Sequence, residues 1–216
     1  MIVFSGLDGA GKSTQINLLA DIYSKIGANS IVFWSRGGYT PGMLFIKNLF
    51  INKNNYLEKH DGLKKNIRKK QFSKPLIRKV WLILSILDLI YYYCIYIRIK
   101  EIFNTRVICD RYIFDTLVDF RLNFPQENVE IWWLWKILII FSVRPYKHFV
   151  LTVSVDESIR RSKLKKEPFP DSKEVLESRL NKYLKYVAAN RNVIHINGKA
   201  RIEKIHSEIL QKLKLQ

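Results

Sequence analysis

Short apolar segments alternate with longer stretches of helical periodicity along most of the chain. The predicted strands are runs of four to seven residues at 2–5, 29–34, 106–109, 147–153 and 193–196, and helical patterns cover 15–26, 112–122 and 127–141. Strands separated by helices require crossover connections, which make neighbouring strands parallel. We therefore expect an α/β fold in three layers, with a five-stranded parallel sheet flanked by helices and binding groups at the carboxyl ends of the strands.

Length and composition favour one domain. The chain has 216 residues, of which 48% are hydrophobic and 26% charged, as in globular proteins, and no segment has the composition of a linker. We predict a single domain over 1–216, with a helical, basic insertion at about 43–104 and a lid at about 160–171. Met1 is followed by an apolar strand rather than a basic leader, so the expected location is cytoplasmic.

Two apolar segments bear on membrane contact. Residues 80–97 are long enough to cross a bilayer, but Asp88 lies at their centre and would cost about 2.5 to 3.5 kcal/mol there. A core helix is therefore the preferred interpretation. The second segment, 131–141, is too short to span and fits a core helix, a dimer face or a surface anchor.

A complete phosphate-binding motif follows the first predicted strand. Gly6 to Ser13 match G-x-x-x-x-G-K-[ST], a pattern in which backbone N–H groups and a helix N-terminus surround phosphate oxygens. Lys12 is expected to reach the β- and γ-phosphates of ATP, and the Ser13 hydroxyl to bind Mg²⁺. This strand, loop and helix predict a P-loop fold. The candidate ATP-binding residues are Gly6, Asp8, Gly9, Ala10, Gly11, Lys12, Ser13 and Thr14.

Charged residues also follow the next two predicted strands. Arg36 comes after 29–34, and Asp110 and Arg111 come after 106–109, so all three belong to the same edge of the sheet as the loop. The two arginines could hold an acceptor phosphate, because phosphoryl transfer needs positive charge on both sides. Asp110 could bind the metal through water, orient Arg111, or only cap the strand.

A third basic group occupies the predicted lid. Its members are Arg160, Arg161, Lys163, Lys165 and Lys166. They precede a Pro-containing stretch, and this arrangement suits a mobile cationic lid over the transferred phosphate. Arg161 is the catalytic candidate, although which of these cations acts is left open by the sequence.

These motifs together resemble the thymidylate kinase family of nucleoside monophosphate kinases. The resemblance is close in two stretches, SGLDGAGKSTQI at 5–16 and VICDRY at 107–112. It is looser in SRGGYTP at 35–41 and in 155–185, where a lid precedes a helix carrying Arg179 and Tyr183.

The resemblance implies an enzyme that transfers the γ-phosphoryl group of ATP to a nucleoside monophosphate. The leading reaction is dTMP and ATP giving dTDP and ADP, with Mg²⁺ as cofactor and a homodimer as the assembly. The resemblance also places Asp8 against the acceptor's sugar, although Asp8 could instead stabilise the loop. It places Asp88, Arg36 and Arg111 in the acceptor site. Family members without an arginine in the loop tend to carry that charge in the lid, as expected here from Gly9 and Ala10.

Departures from the family pattern keep two alternatives open. Leu89 stands where the family has the arginine of an Asp-Arg pair, and Tyr91 lies in the pyrimidine-reading region. The chain could therefore be a diverged kinase for another small molecule. Alternatively, its net charge of +18, the basic stretch 53–79 and tryptophans at 132, 133 and 135 could serve an ATP-dependent membrane-binding or partner-binding module. No nucleic-acid-binding motif accompanies the charge, so no nucleic-acid partner is expected.

Overall fold

A five-stranded parallel sheet forms the middle layer of the computed structural model, which describes residues 1–35, 72–165 and 171–215. The strands are β1 (Ile2–Gly6), β2 (Ser30–Trp34), β3 (Arg106–Asp110), β4 (Lys147–Thr152) and β5 (Val193–Asn197). Their order is β2-β3-β1-β4-β5, which puts β1 at the centre. The predicted α/β class and the five-stranded parallel sheet are confirmed.

Helices cover both faces of the sheet. In the described part of the chain they are α1 (Lys12–Lys25), α2 (Pro75–Ile90), α3 (Ile97–Ile102), α4 (Ile113–Asn123), α5 (Trp133–Phe141), α6 (Val155–Leu164), α7 (Lys173–Ala189) and α8 (Ile202–Leu213). A π-helical segment, Tyr91–Tyr96, joins α2 to α3, and a short 3₁₀ turn, Val129–Ile131, precedes α5. The stretch 127–141, which the sequence predicts as one helix, is therefore divided in two.

Alternation along β1 separates two hydrophobic cores. Phe4 faces the side covered by α1, α7 and α8, where its ring stacks on Phe149 with centroids 5.3 Å apart. Val3 faces the opposite side, where it joins the core formed with α2 and α5. Trp135 is the largest side chain of that second core, and it is almost completely buried. The central strand is thus apolar on both faces, as expected for a parallel sheet between helical layers.

The helix formed by α2, the π-helical segment and α3 is 28 residues long and is called the long helix below. Pro75 begins it, a position where a missing N–H is tolerated. One side lies in the second core, and its fully buried hydrophobic residues are Leu82, Ile86, Leu89, Tyr93 and Ile97. The expected core helix is therefore buried along one side only.

Length and composition alone would let the long helix cross a membrane. It is the one helix of the described residues with this property, and 33% of its most apolar window is buried within the protein. A large part of its apolar surface therefore faces outward.

A buried polar contact lies beneath the phosphate-binding loop. His148 of β4 is 6% exposed, and its Nε2 lies 2.8 Å from the Ser5 hydroxyl of β1. Burial lowers the pKa of His148 from 6.5 to about 4, and only the charge of Asp115 acts in the opposite direction. His148 is thus neutral in the folded protein at neutral pH.

This burial makes stability depend on pH. Since the folded-state pKa of His148 lies below its unfolded value, its contribution is complete above pH 6.5 and is lost as the pH falls toward 4. Between pH 7 and pH 4.5 the loss should be about 2 to 3 kcal/mol. Urea unfolding of wild type and His148→Gln is measured at both pH values. From pH 7 to pH 4.5, the free energy of unfolding should decrease less in the variant than in wild type. The less buried His206, changed to Gln, provides the control; an unchanged pH dependence in His148→Gln would contradict the assignment.

Candidate active site

The phosphate-binding loop connects the end of β1 to the first residue of α1. Gly6 has a φ of 130°, and a Cβ at this position would lie 1.9 Å from the carbonyl oxygen of Leu151 on β4. Only glycine can occupy this left-handed backbone beside the neighbouring strand. The following helix begins at Lys12, so its N-terminal N–H groups and positive dipole end lie at the loop.

Lys12 is held against the loop backbone. Its Nζ donates to the carbonyl oxygens of Gly6 at 3.0 Å and Leu7 at 2.8 Å, and lies 4.0 Å from a carboxylate oxygen of Asp8. Burial, together with the nearby charge of Arg111, lowers the pKa of Lys12 to about 8. The ammonium group is therefore buried in a place where it can meet phosphate oxygens.

Arg111 approaches the loop from the adjacent strand. Its backbone N–H donates to Phe4 O at 2.8 Å, and its φ of 78° is unusual for a residue other than glycine. The guanidinium donates to the carboxylate of Asp8. Burial acts to lower the pKa of Arg111, but Tyr183 and the carboxylates of Asp8 and Asp115 outweigh it and raise the pKa above its ordinary value. The predicted loop residue and the predicted strand-end arginine are thus in direct contact.

A polar cavity opens between the loop and the carboxyl ends of β2 and β3. It brings together five of the eight predicted ATP-binding residues and the Asp-Arg pair. The lining residues are Asp8, Gly9, Gly11, Lys12, Ser13, Trp34, Asp110, Arg111 and Lys165.

Asp110 brings a carboxylate to this cavity. One of its oxygens, Oδ1, is buried and has no hydrogen-bond partner among the described residues. Burial raises the pKa of Asp110, while the charges of Lys12 and Arg111 act to lower it. An unpaired carboxylate oxygen of a residue that lines the same cavity as Ser13 is a suitable ligand for a hard cation or its water.

Two further residues at the cavity refine the sequence analysis. Trp34 ends the edge strand β2 and pairs in register with Asp110, yet the residue is 46% exposed. In the sequence, Trp34 is assigned only to a predicted strand; the shared edge of the predicted parallel strands is the signal that could have identified it as a cavity residue. Of the lid cations that the structure describes, Lys165 lines the cavity.

Arg161 binds the back of the loop instead of lining the cavity. Its Nη1 donates to Gly9 O and Gly198 O, both at 3.0 Å, and its Nε donates to Glu157 at 2.6 Å. The guanidinium therefore fastens the phosphate-binding loop to the connection after β5. A direct catalytic role for Arg161 stays a prediction.

The remaining candidates lie apart from this cavity or outside the described residues. Asp88 is half-buried on the long helix, where burial raises its pKa to about 6, and it is not among the lining residues. Thr14 is exposed on α1, and Ala10 packs in the first core. Arg36 and residues 166–170, which include Lys166, lie outside the described residues, so their predicted roles stay predictions.

Comparison with known proteins finds similarity along almost the whole chain. A probable thymidylate kinase of Methanocaldococcus jannaschii is 26% identical over 215 residues, covering 99% of this chain and 95% of that protein. The crystal structure of thymidylate kinase from Ehrlichia chaffeensis superposes with a TM-score of 0.58 at 21% identity, covering 98% of this chain and 97% of that chain. The second similarity supports the fold.

The sequence model of the family titled thymidylate kinase matches residues 79–209. The match covers more than half of the chain and includes β3, the Asp110–Arg111 pair, the lid and α7. The phosphate-binding loop lies before the matched residues, and it contributes the other half of the same cavity. The resemblance found in the sequence is thereby confirmed: the chain belongs to the thymidylate kinase family.

Proposed function

We propose that the protein transfers the γ-phosphoryl group of ATP to dTMP, giving dTDP and ADP. The observation that carries this proposal is the meeting of Lys12 and Arg111 at one cavity, from the central strand and its neighbour. Each would hold one of the two phosphate groups that must react. The family membership and the M. jannaschii relative support dTMP as the acceptor.

Different residues of the cavity would bind the donor and the acceptor phosphates. Lys12 and the loop N–H groups would hold the β- and γ-phosphates of ATP, and Arg111 the phosphate of dTMP. Lys165 would bring the lid's charge to the transferred group as negative charge spreads over its oxygens. Because this reaction depends mainly on alignment and charge, no protein nucleophile is required.

Ser13 and Asp110 suit Mg²⁺, which would balance the charge of the phosphates. The described residues contain no group of three or more His, Cys, Asp or Glu side chains able to hold a metal by themselves. Mg²⁺ commonly completes its octahedral shell with water and substrate phosphate oxygens, so two protein oxygens are sufficient. The unpaired Oδ1 of Asp110 is the structural feature that fits this role.

Recognition of the acceptor depends strongly on Arg111. Leu89, at the place of a family arginine, is fully buried among apolar side chains, so this position supplies no cation. Tyr91 is 52% exposed on the outer side of the long helix. Arg111, joined by Arg36 as the sequence predicts, would therefore carry the contact with the acceptor phosphate.

A coupled assay of ADP release with ATP and Mg²⁺ tests the reaction across a panel of nucleoside monophosphates. We expect turnover with dTMP to exceed that with each other acceptor by about tenfold or more. Lys12→Ala should lower kcat by about 10² to 10³, because it removes a preorganised charge from the transferred phosphate. Lys25→Ala, at the exposed end of the same helix, is the matched control. Selective turnover of another acceptor would refute dTMP, and full activity of Lys12→Ala would refute the site.

Arg111→Ala should raise the KM for dTMP more than the KM for ATP. Loss of a charged hydrogen bond to phosphate costs about 1.5 to 3 kcal/mol, which corresponds to about a tenfold to hundredfold increase in the KM for dTMP. Arg106, an exposed arginine at the other end of β3, provides the control when changed to Ala. Equal increases in both KM values would contradict the assignment of Arg111 to the acceptor side.

We also propose a homodimer, formed through the outer face of the long helix, in a cytoplasmic protein. That face carries apolar residues three or four positions apart, with exposures of 38% to 52%: Val80, Ile83, Leu87, Tyr91, Ile95 and Ile99. A continuous exposed apolar stripe of this kind is typical of an interaction surface. Contact with a membrane surface is the competing use of the same residues.

Leu87→Lys should convert the dimer into a monomer, because it introduces a charge at the centre of the stripe. Sedimentation equilibrium measures the change, and Ile26→Lys, at an exposed position beyond α1, is the control. A monomeric wild type would refute the dimer. Cosedimentation of wild type with anionic vesicles at low salt would instead support the membrane-binding alternative.

A further inference from the structure

Two buried polar pairs connect α4 to α7. The Tyr183 hydroxyl donates to Asp115 Oδ1 at 2.6 Å, and Arg179 Nη1 lies 2.6 Å from Asp119 Oδ1. The aspartates are four residues apart on α4, and their partners are four apart on α7, so each pair lies one helical turn from the other. All four residues are 0% to 4% exposed. The helix after the lid is therefore joined to the helix after Arg111 by specific polar contacts.

Asp115 has further contacts beyond its pair with Tyr183. Its Oδ2 accepts from the backbone N–H of Tyr112 at 2.9 Å and from the hydroxyl of Ser5. Its Oδ1 also lies 3.8 Å from Arg111 Nη1. One carboxylate thus contacts the central strand, the turn after β3 and α7.

These contacts orient the guanidinium group of Arg111. One terminal nitrogen, Nη2, donates to Asp8 on the phosphate-binding loop, while the other, Nη1, faces Asp115 in the interior. The guanidinium is a rigid planar fork, so contacts at both terminal nitrogens fix its direction as well as its position. The left-handed backbone of Arg111 must also be stabilised by its surroundings, and Asp115 binds the backbone of the next residue.

The other end of these contacts reaches the predicted lid. Arg179 Nε donates to a carboxylate oxygen of Asp171 at 2.8 Å, and Asp171 is the last residue of that lid. Through Tyr183, Asp115 binds the same helix, α7, that carries Arg179. The acceptor arginine and the lid are therefore connected through α4 and α7.

We propose that Asp115 is a positioning residue for phosphoryl transfer, which directs Arg111 toward the acceptor phosphate and couples it to α7 through Tyr183. Asp119 pairs with Arg179 and so holds the same two helices together, and its charge also acts on Arg111. Comparison of the two aspartates therefore tests whether the contact of Asp115 with Arg111 matters beyond holding α4 against α7. The inference rests on the proposed function for the identity of the acceptor.

Asp115→Asn tests this role with little change in side-chain volume. The amide lacks the negative charge facing Arg111 and cannot accept every hydrogen bond that the carboxylate accepts. We expect the KM for dTMP to rise about tenfold to a hundredfold, while the KM for ATP changes by less than about threefold. Asp119→Asn is the matched control: it removes the same charge at a similarly buried site of α4. It should lower the melting temperature and separate the two KM values much less than Asp115→Asn does, because the ion pair of Asp119 is with Arg179.

Two further variants keep the test decisive. If Asp115→Asn does not fold, Tyr183→Phe removes a single hydrogen bond to Asp115 and should produce a smaller shift in the same direction. In an Arg111→Ala background, Asp115→Asn should no longer change the KM for dTMP, because the group it positions is gone. Additive effects in this double-mutant cycle, or equal effects of Asp115→Asn and Asp119→Asn on both KM values, would overturn the proposal.

Failure of the proposed reaction can be recognised separately. If wild type turns over ATP with another monophosphate, the same variants are compared with that acceptor, and only the identity of the acceptor changes. If no monophosphate reacts, binding of inorganic phosphate in the presence of ADP is measured by calorimetry. Weaker phosphate binding in Asp115→Asn than in Asp119→Asn would support the positioning role. Equal binding by the two variants, or none to wild type, would overturn it.

Discussion

Two cations are buried beside the phosphate-binding loop, and the surrounding structure depends on how their charge is balanced. Lys12 is 6% exposed and Arg111 is 5% exposed. Removing such groups from water costs several kcal/mol each unless carboxylates and backbone carbonyls replace the lost solvation. Here Asp8 contacts both cations, Asp115 faces Arg111, and loop carbonyls surround Lys12. The loop, the turn after β3 and the first turn of α4 therefore form one electrostatic unit.

The sheet order makes this unit possible. β1 lies between β3 and β4, so the residues after β1 and β3 emerge side by side at the same edge. Phe4 pairs in register with Asp110, and Trp34 pairs with Asp110 from the other side. The three strand ends, at residues 6, 34 and 110, thus converge from separate parts of the sequence. The position of the end of β1 relative to β4 is restricted as well, because Gly6 lies directly against Leu151 of β4.

Much of this framework is predictable from sequence because it depends on local pattern. The glycine and lysine spacing of 6–13 specifies a turn and a helix start, and the apolar runs locate every strand to within about two residues, as boundary errors usually allow. Asp110 and Arg111 follow from their place after a strand. The predicted strands agree with the structure because each depends on residues close together in the chain.

Other features depend on tertiary packing that a single sequence does not encode locally. Asp115 and Tyr183 are 68 residues apart, and their contact exists only because α7 packs against α4. The spacing of four residues from Arg111 to Asp115 is a signal, but acidic residues in the first turn of a helix are common. The long helix is apolar on both sides, so periodicity could not show which side is buried. Arg161 looked like a free lid cation in sequence, whereas backbone carbonyls brought together by folding accept its hydrogen bonds.

The protein's own carboxylates balance Lys12 and Arg111, and this balance limits the positive charge that is left for a polyanionic substrate. Lys12 and Arg111 are matched within the protein by the carboxyl groups of Asp8, Asp110 and Asp115, so this unit has little excess positive charge of its own. ATP and a nucleoside monophosphate together add several negative charges to the same cavity. Additional cations must therefore come from outside the unit. The proposed Mg²⁺ at Ser13 and Asp110 would provide part of this positive charge, and lid cations such as Lys165 would provide the rest. The basic residues of the lid would therefore serve substrate binding as well as solubility.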